Sequence, residues 1–153
     1  METEIRNIFS KKLVTSRDTD TLADADELME IYKIRHLPVL NKEDALVGVL
    51  SKTDYMGLKH IHTKLHKYFV KDLMSSPVKV VASSAKLSAV AQLFITQKIN
   101  CALVIDDDEV VGIVTSEDLI RLLAQNHDTL GDTELLDLKA LAEEGWISST
   151  SLT

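Results

Sequence analysis

The segment Ile5–Ser10 recurs later in the chain as Val70–Ser75, with apolar, charged and small residues in the same order. The same offset pairs Leu22 with Leu87, Leu28 with Leu93, Lys33 with Lys98, Ile34 with Ile99 and Val39 with Val104. Past Asn41 and Asp106 the first copy carries an extra turn residue, so Val47 and Gly48 meet Val111 and Gly112, and Asp54 meets Asp118. A length change confined to a turn is what a duplicated unit tolerates. This repeat constrains the fold more than any other feature, because each copy must form the same small unit and hide its apolar surface against the other.

Within each copy the periodicities follow one order. Short extended segments are expected at Leu13–Ser16 and Val78–Val81, the second opened by Pro77, which cannot continue a preceding helix. Helices are predicted over Thr21–Lys33 and Lys86–Lys98; in the first, Leu22, Ala25, Leu28, Met29 and Tyr32 recur at the spacing of one buried face. Asp18, Thr19, Ser83 and Ser84 are suitable caps for their starts. Two strands follow closely in each copy, Leu37–Leu40 with Leu46–Leu50 and Ala102–Ile105 with Val110–Val114, joined by the polar turns Asn41–Asp44 and Asp106–Glu109. A second helix then opens near Ser51 or Thr115, with Asp54 or Asp118 in its first turn. The expected class is α+β: two β-α-β-β-α repeats packed sheet to sheet as one pseudo-symmetric module, plus a short C-terminal helix. The strands are apolar at nearly every position, as strands covered on both faces must be. The expected divisions are repeat 1 over residues 1–62, repeat 2 over 63–126, and a linker, short amphipathic helix and flexible tail over 127–153.

Composition narrows the function classes. The 153 residues suffice for one compact core or for two small repeats sharing one. A net charge of −7 repels a phosphate backbone and an anionic membrane surface alike, so neither nucleic acid nor membrane is an expected partner. The opening residues lack the cationic start and apolar run of a signal peptide, and no stretch has the length of a membrane span, which leads to a cytoplasmic expectation. Cys101 is the one cysteine and sits in an apolar run, which favours an inert core thiol over a nucleophile. No phosphate loop, serine nucleophile elbow or metalloprotease helix motif is present, so the chain is read as a non-enzyme.

The two copies resemble cystathionine-β-synthase (CBS) motifs from about Ile5 to about Gln125. The resemblance rests on Leu37–Leu40 followed by Gly48–Asp54, and on the parallel Gly112–Asp118: glycine, two apolar residues, serine or threonine, two free positions, then aspartate. The second copy departs by placing Leu103 where the family usually has proline. Independently of the family, a hydroxyl and a carboxylate three residues apart at a helix opening lie side by side next to free backbone amides and the positive dipole end. The carboxylate can accept from both ribose hydroxyls, and the hydroxyl and amides can meet a phosphate.

The resemblance implies two clefts between the repeats for adenosyl ligands. One joins Ser16, Arg17, Ile34, Arg35, His36 and Pro38 of the first copy to Thr115 and Asp118 of the second. The other joins Val81, Ala82, Ile99 and Asn100 to Ser51 and Asp54. The first is favoured because two guanidinium groups and an imidazole can pair with phosphate oxygens. The expected function is a non-catalytic sensor binding AMP, ADP, ATP, S-adenosylmethionine or NADH, with no required cofactor. It would act as a homodimer on a regulated protein that the sequence does not name.

Plainer readings stand beside these. The Ser/Thr and Asp pairs also make ordinary helix caps, Arg17 and Arg35 also suit solvated loops, and the module also suits ligand-free dimerisation or docking. His60, His62 and His66 form the one metal-like cluster, but the neighbouring Lys59, Lys64 and Lys67 repel a cation, and no metal is expected. Asp106–Glu109 reads as a solvated turn. Beyond Gln125, a helix over Thr133–Glu144 would carry Leu135, Leu138, Leu141 and Ala142 on one stripe, followed by Trp146 and a flexible tail over Ser148–Thr153.

Overall fold

The computed structural model describes residues 3–60 and 62–125. The linker, helix, Trp146 and tail expected beyond Gln125 lie outside the described residues. Contacts divide the chain into Met1–Leu122 and Leu123–Thr153, and the first unit carries both sheets.

In chain order the elements are β1 (Ser16–Arg17), α1 (Leu22–Tyr32), β2 (His36–Leu40), β3 (Leu46–Ser51), α2 (Lys52–Tyr55), α3 (His62–Leu65), α4 (Val70–Leu73), β4 (Val80–Ala82), α5 (Leu87–Gln97), β5 (Cys101–Asp106), β6 (Glu109–Thr115) and α6 (Ser116–Gln125). Short 3₁₀ turns occupy Ile5–Asn7 and Met56–Leu58. Two three-stranded sheets result, β1-β2-β3 and β4-β5-β6. In each, the first pair is parallel and the second is an antiparallel hairpin. The α+β class and the repeated unit expected from the sequence are both present. Among the described residues no helix is long and apolar enough to cross a membrane.

The hairpin turns differ as the sequence differs. In the second, Asp107 and Asp108 both take positive φ, 46° and 63°, which is the two-residue turn whose twist matches the strands. In the first, the Asn41 side chain accepts from the Glu43 and Ala45 amides at 3.0 and 2.9 Å, organising the longer loop.

The helix starts depart from expectation. Helix α1 is capped by Thr21, whose hydroxyl accepts from the Asp24 amide at 3.2 Å while the Asp24 carboxylate accepts from the Thr21 amide at 3.0 Å. Lys86 stands at the N-cap of α5, where its side chain makes no capping hydrogen bond. The predicted caps Asp18 and Ser83 lie just past the strand ends and remain hydrogen-bonded to the neighbouring strand. Their amides donate to Leu40 and Ile105 carbonyls at 3.0 and 2.9 Å, so the chain turns helical only after leaving that pairing.

Each sheet packs one face on its own helices. Leu22, Ala25, Met29, Leu37, Val39, Leu50 and Tyr55 form one core, and Val90, Phe94, Ala102, Val104 and Val114 form the other. Alternation sends Val49, Leu103 and Ile113 to the opposite faces, where they are also buried. Each core is completed by the opening segment of the other copy: Ile5 belongs to the second core and Val70 to the first. Matching hydrogen bonds hold the exchange. The Ile5 amide donates to the Ala85 carbonyl at 2.9 Å and the Val70 amide to the Asp20 carbonyl at 2.8 Å. Neither copy therefore contains its whole core within its own sequence, and the two fold as one cooperative body.

Candidate functional site

The exchange brings the helix openings of one copy against the pre-strand residues of the other, and two clefts form there. The larger, about 520 Å³, is lined by Ile34, Arg35, His36 and Pro38 from the first copy and by Ile113, Thr115, Ser116, Glu117, Asp118 and Arg121 from the second. The smaller, about 400 Å³, is lined by Ser51, Thr53 and Asp54 on one side and by Lys98, Ile99, Asn100 and Cys101 on the other. Both volumes lie in the range of small-molecule sites.

At the larger cleft, β6 ends on Thr115 and α6 begins at once. The Thr115 amide and hydroxyl both donate to Asp118 Oδ2, at 2.8 and 2.9 Å, and the Asp118 amide donates back to the Thr115 hydroxyl at 3.3 Å. The plain capping reading is therefore realised in full, and it consumes the Thr115 hydroxyl. It leaves Asp118 Oδ1 without a hydrogen-bond partner among the described residues. The Ser116 amide donates to the Asn100 carbonyl at 2.9 Å, tying the start of α6 to the end of the preceding loop. The second cleft repeats the plan. The Ser51 amide donates to Asp54 Oδ2 at 2.7 Å, and the Lys52 amide donates to the Arg35 carbonyl at 2.8 Å.

Positive charge gathers at the larger cleft through Lys12, Lys33, Arg35, Lys52 and Arg121. Several of these are already engaged. Arg121 pairs with Glu117 at 2.6 Å, Lys52 with Glu30, and Lys12 lies over the Tyr32 ring at 4.9 Å. The Arg35 guanidinium makes no hydrogen bond or ion pair with a described residue, so its donors remain available. Burial, with the Arg35 charge behind it, pushes the His36 imidazole below its ordinary pKa, while Asp54, Asp118 and Glu117 pull the other way. In the second cleft Cys101 takes the position equivalent to His36; burial raises its thiol to about 11, so it stays protonated and unreactive.

The structure gathers Ile34, Arg35, His36, Pro38, Thr115 and Asp118 at one cleft, and Ser51, Asp54, Ile99 and Asn100 at the other. It does not bring Ser16 or Arg17 to the first. Ser16 is 3% exposed, with its hydroxyl on Asp20 at 2.9 Å, and Arg17 reaches the hairpin turn, pairing with Asp44 at 2.6 Å. Val81 and Ala82 are likewise held in the sheet against Val104 and Ile105 and do not line the second. Their places are taken a few residues earlier, by Lys12, Leu13 and Val14 in the first cleft and Pro77, Val78 and Lys79 in the second. The reason is the same in both copies: the extended segment borders the cleft before it enters the sheet, and its paired residues have already left. Arg121 was also missed, although its spacing of three from Asp118 places both on one helix face.

Of His60, His62 and His66, the His62 side chain lies outside the described residues. Among the described residues no cluster of three or more histidine, cysteine or carboxylate side chains could hold a metal ion.

With this geometry established, the family can be assigned: the model of the CBS domain matches residues 5–60 and 70–125, and the chain belongs to that family. Inosine-5′-monophosphate dehydrogenase of Methanocaldococcus jannaschii is 30% identical over 115 residues, which cover 74% of this chain and 22% of that protein. The L-aspartate semialdehyde sulfurtransferase of the same organism is 28% identical over 121 residues, 78% of this chain and 23% of its own length. The chain thus spans less than a quarter of these two curated relatives. Among solved structures, the CBS domain pair of protein MJ0100, in complex with 5′-methylthioadenosine and S-adenosyl-L-methionine, has a TM-score of 0.71 at 27% identity, covering 82% of this chain and 99% of that one. CBSX2 in complex with AMP has a TM-score of 0.65 at 29% identity, covering 80% and 97%.

Proposed function

We propose that this chain is a non-catalytic regulatory module that binds an adenosyl ligand in the cleft at Asp118 and signals occupancy through a homodimer or a partner protein in the cytoplasm. The observation that carries the reading is Asp118 Oδ1, left by the cap without a partner among the described residues, in the same cleft as the Arg35 guanidinium, which likewise has none among them. Oδ1 would accept from a ribose hydroxyl. Ile34, Leu13, Val14 and Ile113 offer apolar surface to a base, and Arg35 with the neighbouring lysines offers charge to a phosphate or a ligand carboxylate. The complexes named for MJ0100 and CBSX2 support this ligand class. Support for a dimer comes from Ile31 and Ile95, 62% and 72% exposed on α1 and α5, which leave apolar surface to be covered.

The test is thermal melting with AMP, ADP, ATP, S-adenosylmethionine and NADH at millimolar concentration. At least one is expected to raise the midpoint, since a ligand at a hundred times its Kd stabilises by about 2.7 kcal/mol. Asp118→Ala should remove that shift while lowering unliganded stability by about 0.5–2 kcal/mol, the size of a lost cap. A shift kept in Asp118→Ala but lost in Asp54→Ala moves the site to the smaller cleft. No shift with any of the five favours ligand-free docking instead.

A further inference from the structure

The two clefts meet. His36, Ser51, Thr53 and Asn100 line both, so any group reaching inward from one cleft is presented to the same donors as a group reaching inward from the other. None of these four carries a permanent positive charge. The permanent cations are shared unequally: Lys12, Lys33, Lys52, Arg35 and Arg121 border the larger cleft, while Lys79 and Lys98 border the smaller. Asp54 belongs to one cleft and Asp118 with Glu117 to the other, and all three carboxylates act electrostatically on His36 together with Arg35. The junction is thus a place where two ligands would feel each other's charge.

We propose that the two clefts form one bipartite site that admits a single phosphorylated adenosyl ligand, in the larger half, and leaves the smaller half open only to an uncharged adenosyl compound. This rests on the adenosyl reading above and deepens it. Two phosphates drawn to the shared hydroxyls, amide and imidazole would repel at short range and compete for the same donors. A neutral ligand brings no such charge and fits the second cleft, whose wall is formed by Val78, Ile99 and Cys101. His36 sets the strength of the exclusion. Held neutral at pH 7 by burial and Arg35, it adds no positive charge between the two anions; once protonated, it does.

Isothermal titration calorimetry of the full chain with AMP and, separately, with adenosine tests this. At pH 7.5 adenosine is expected to fill two sites of similar affinity. AMP should fill one, with any second event at least tenfold weaker, and adenosine should still bind the AMP-saturated protein. At the same pH the gap between the two AMP events should narrow in His36→Lys, which places a permanent cation at the junction. Two AMP sites of equal affinity at pH 7.5, or a gap unmoved by the substitution, would overturn the coupling while leaving the adenosyl reading intact. A single site for adenosine also overturns it. Absence of binding by both compounds would remove the adenosyl reading and the coupling with it.

Discussion

His36 and Cys101 occupy equivalent positions in the two copies and differ in how they respond to pH. Cys101 stays protonated throughout the physiological range. His36 does not have that freedom from pH. In the unfolded chain an imidazole takes up its proton near pH 6.5, whereas burial and Arg35 lower the value in the folded state. Between those two values the unfolded chain binds more protons, so stability rises with pH. It is full above about pH 6.5 and declines as the pH falls toward the lower folded value. Urea unfolding measured between pH 7.5 and 5.5 should show this decline, and His36→Gln should flatten it. Equal slopes in the two proteins would mean that the imidazole is not desolvated in the folded state. At this scale the sequence was legible where a residue's role is local. The pairs Thr115 with Asp118 and Ser51 with Asp54 follow from cap spacing alone. Ser16 and Arg17 were not, because one apolar segment both borders the cleft and enters the sheet, and periodicity does not mark where one role ends.

At the scale of elements, the glycines of the two Gly-to-Asp motifs explain how the copies interlock. Ser10 pairs with Ile113 and Ser75 with Val49, so each opening segment crosses a strand next to Gly112 or Gly48. A Cβ on Gly112 would collide with the Phe9 ring and the Ser10 carbonyl; one on Gly48 would come within 2.6 Å of Met74 Sδ and 2.9 Å of the Ser75 carbonyl. Because backbone is involved at both, neither collision is relieved by a side-chain turn. Gly112→Ala is expected to destabilise by about 1–3 kcal/mol and Gly48→Ala by somewhat less, its nearest neighbour being a flexible methionine. Gly57, with nothing within 4 Å of its Cβ position, serves as the control and should change by less than about 0.5 kcal/mol on conversion to alanine. Denaturant unfolding of the three variants gives the comparison; a neutral Gly112→Ala would contradict the close crossing. The repeat, the helices and the hairpins were readable from offset and periodicity. The exchange of opening segments was not, for a physical reason: Ile5 and Val70 are equivalent residues in equivalent copies, so trading their partners leaves every apolar position in the sequence unchanged.

At the scale of the whole molecule, the exchange has a functional consequence. Residues on either side of each cleft come from different copies, and each copy depends on the other for its core, so no cleft survives in one copy alone. A ligand bridging Arg35 and Asp118 would therefore stabilise the folded body as a whole and report on the relation between the copies. Backbone amide NMR of the full chain during titration with AMP and with S-adenosylmethionine tests this most directly. The account predicts that at least one of the two shifts amides of Lys33–His36 and of Thr115–Arg121 together, along a single binding curve. Perturbations confined to one copy, or lying away from both helix openings, would contradict it.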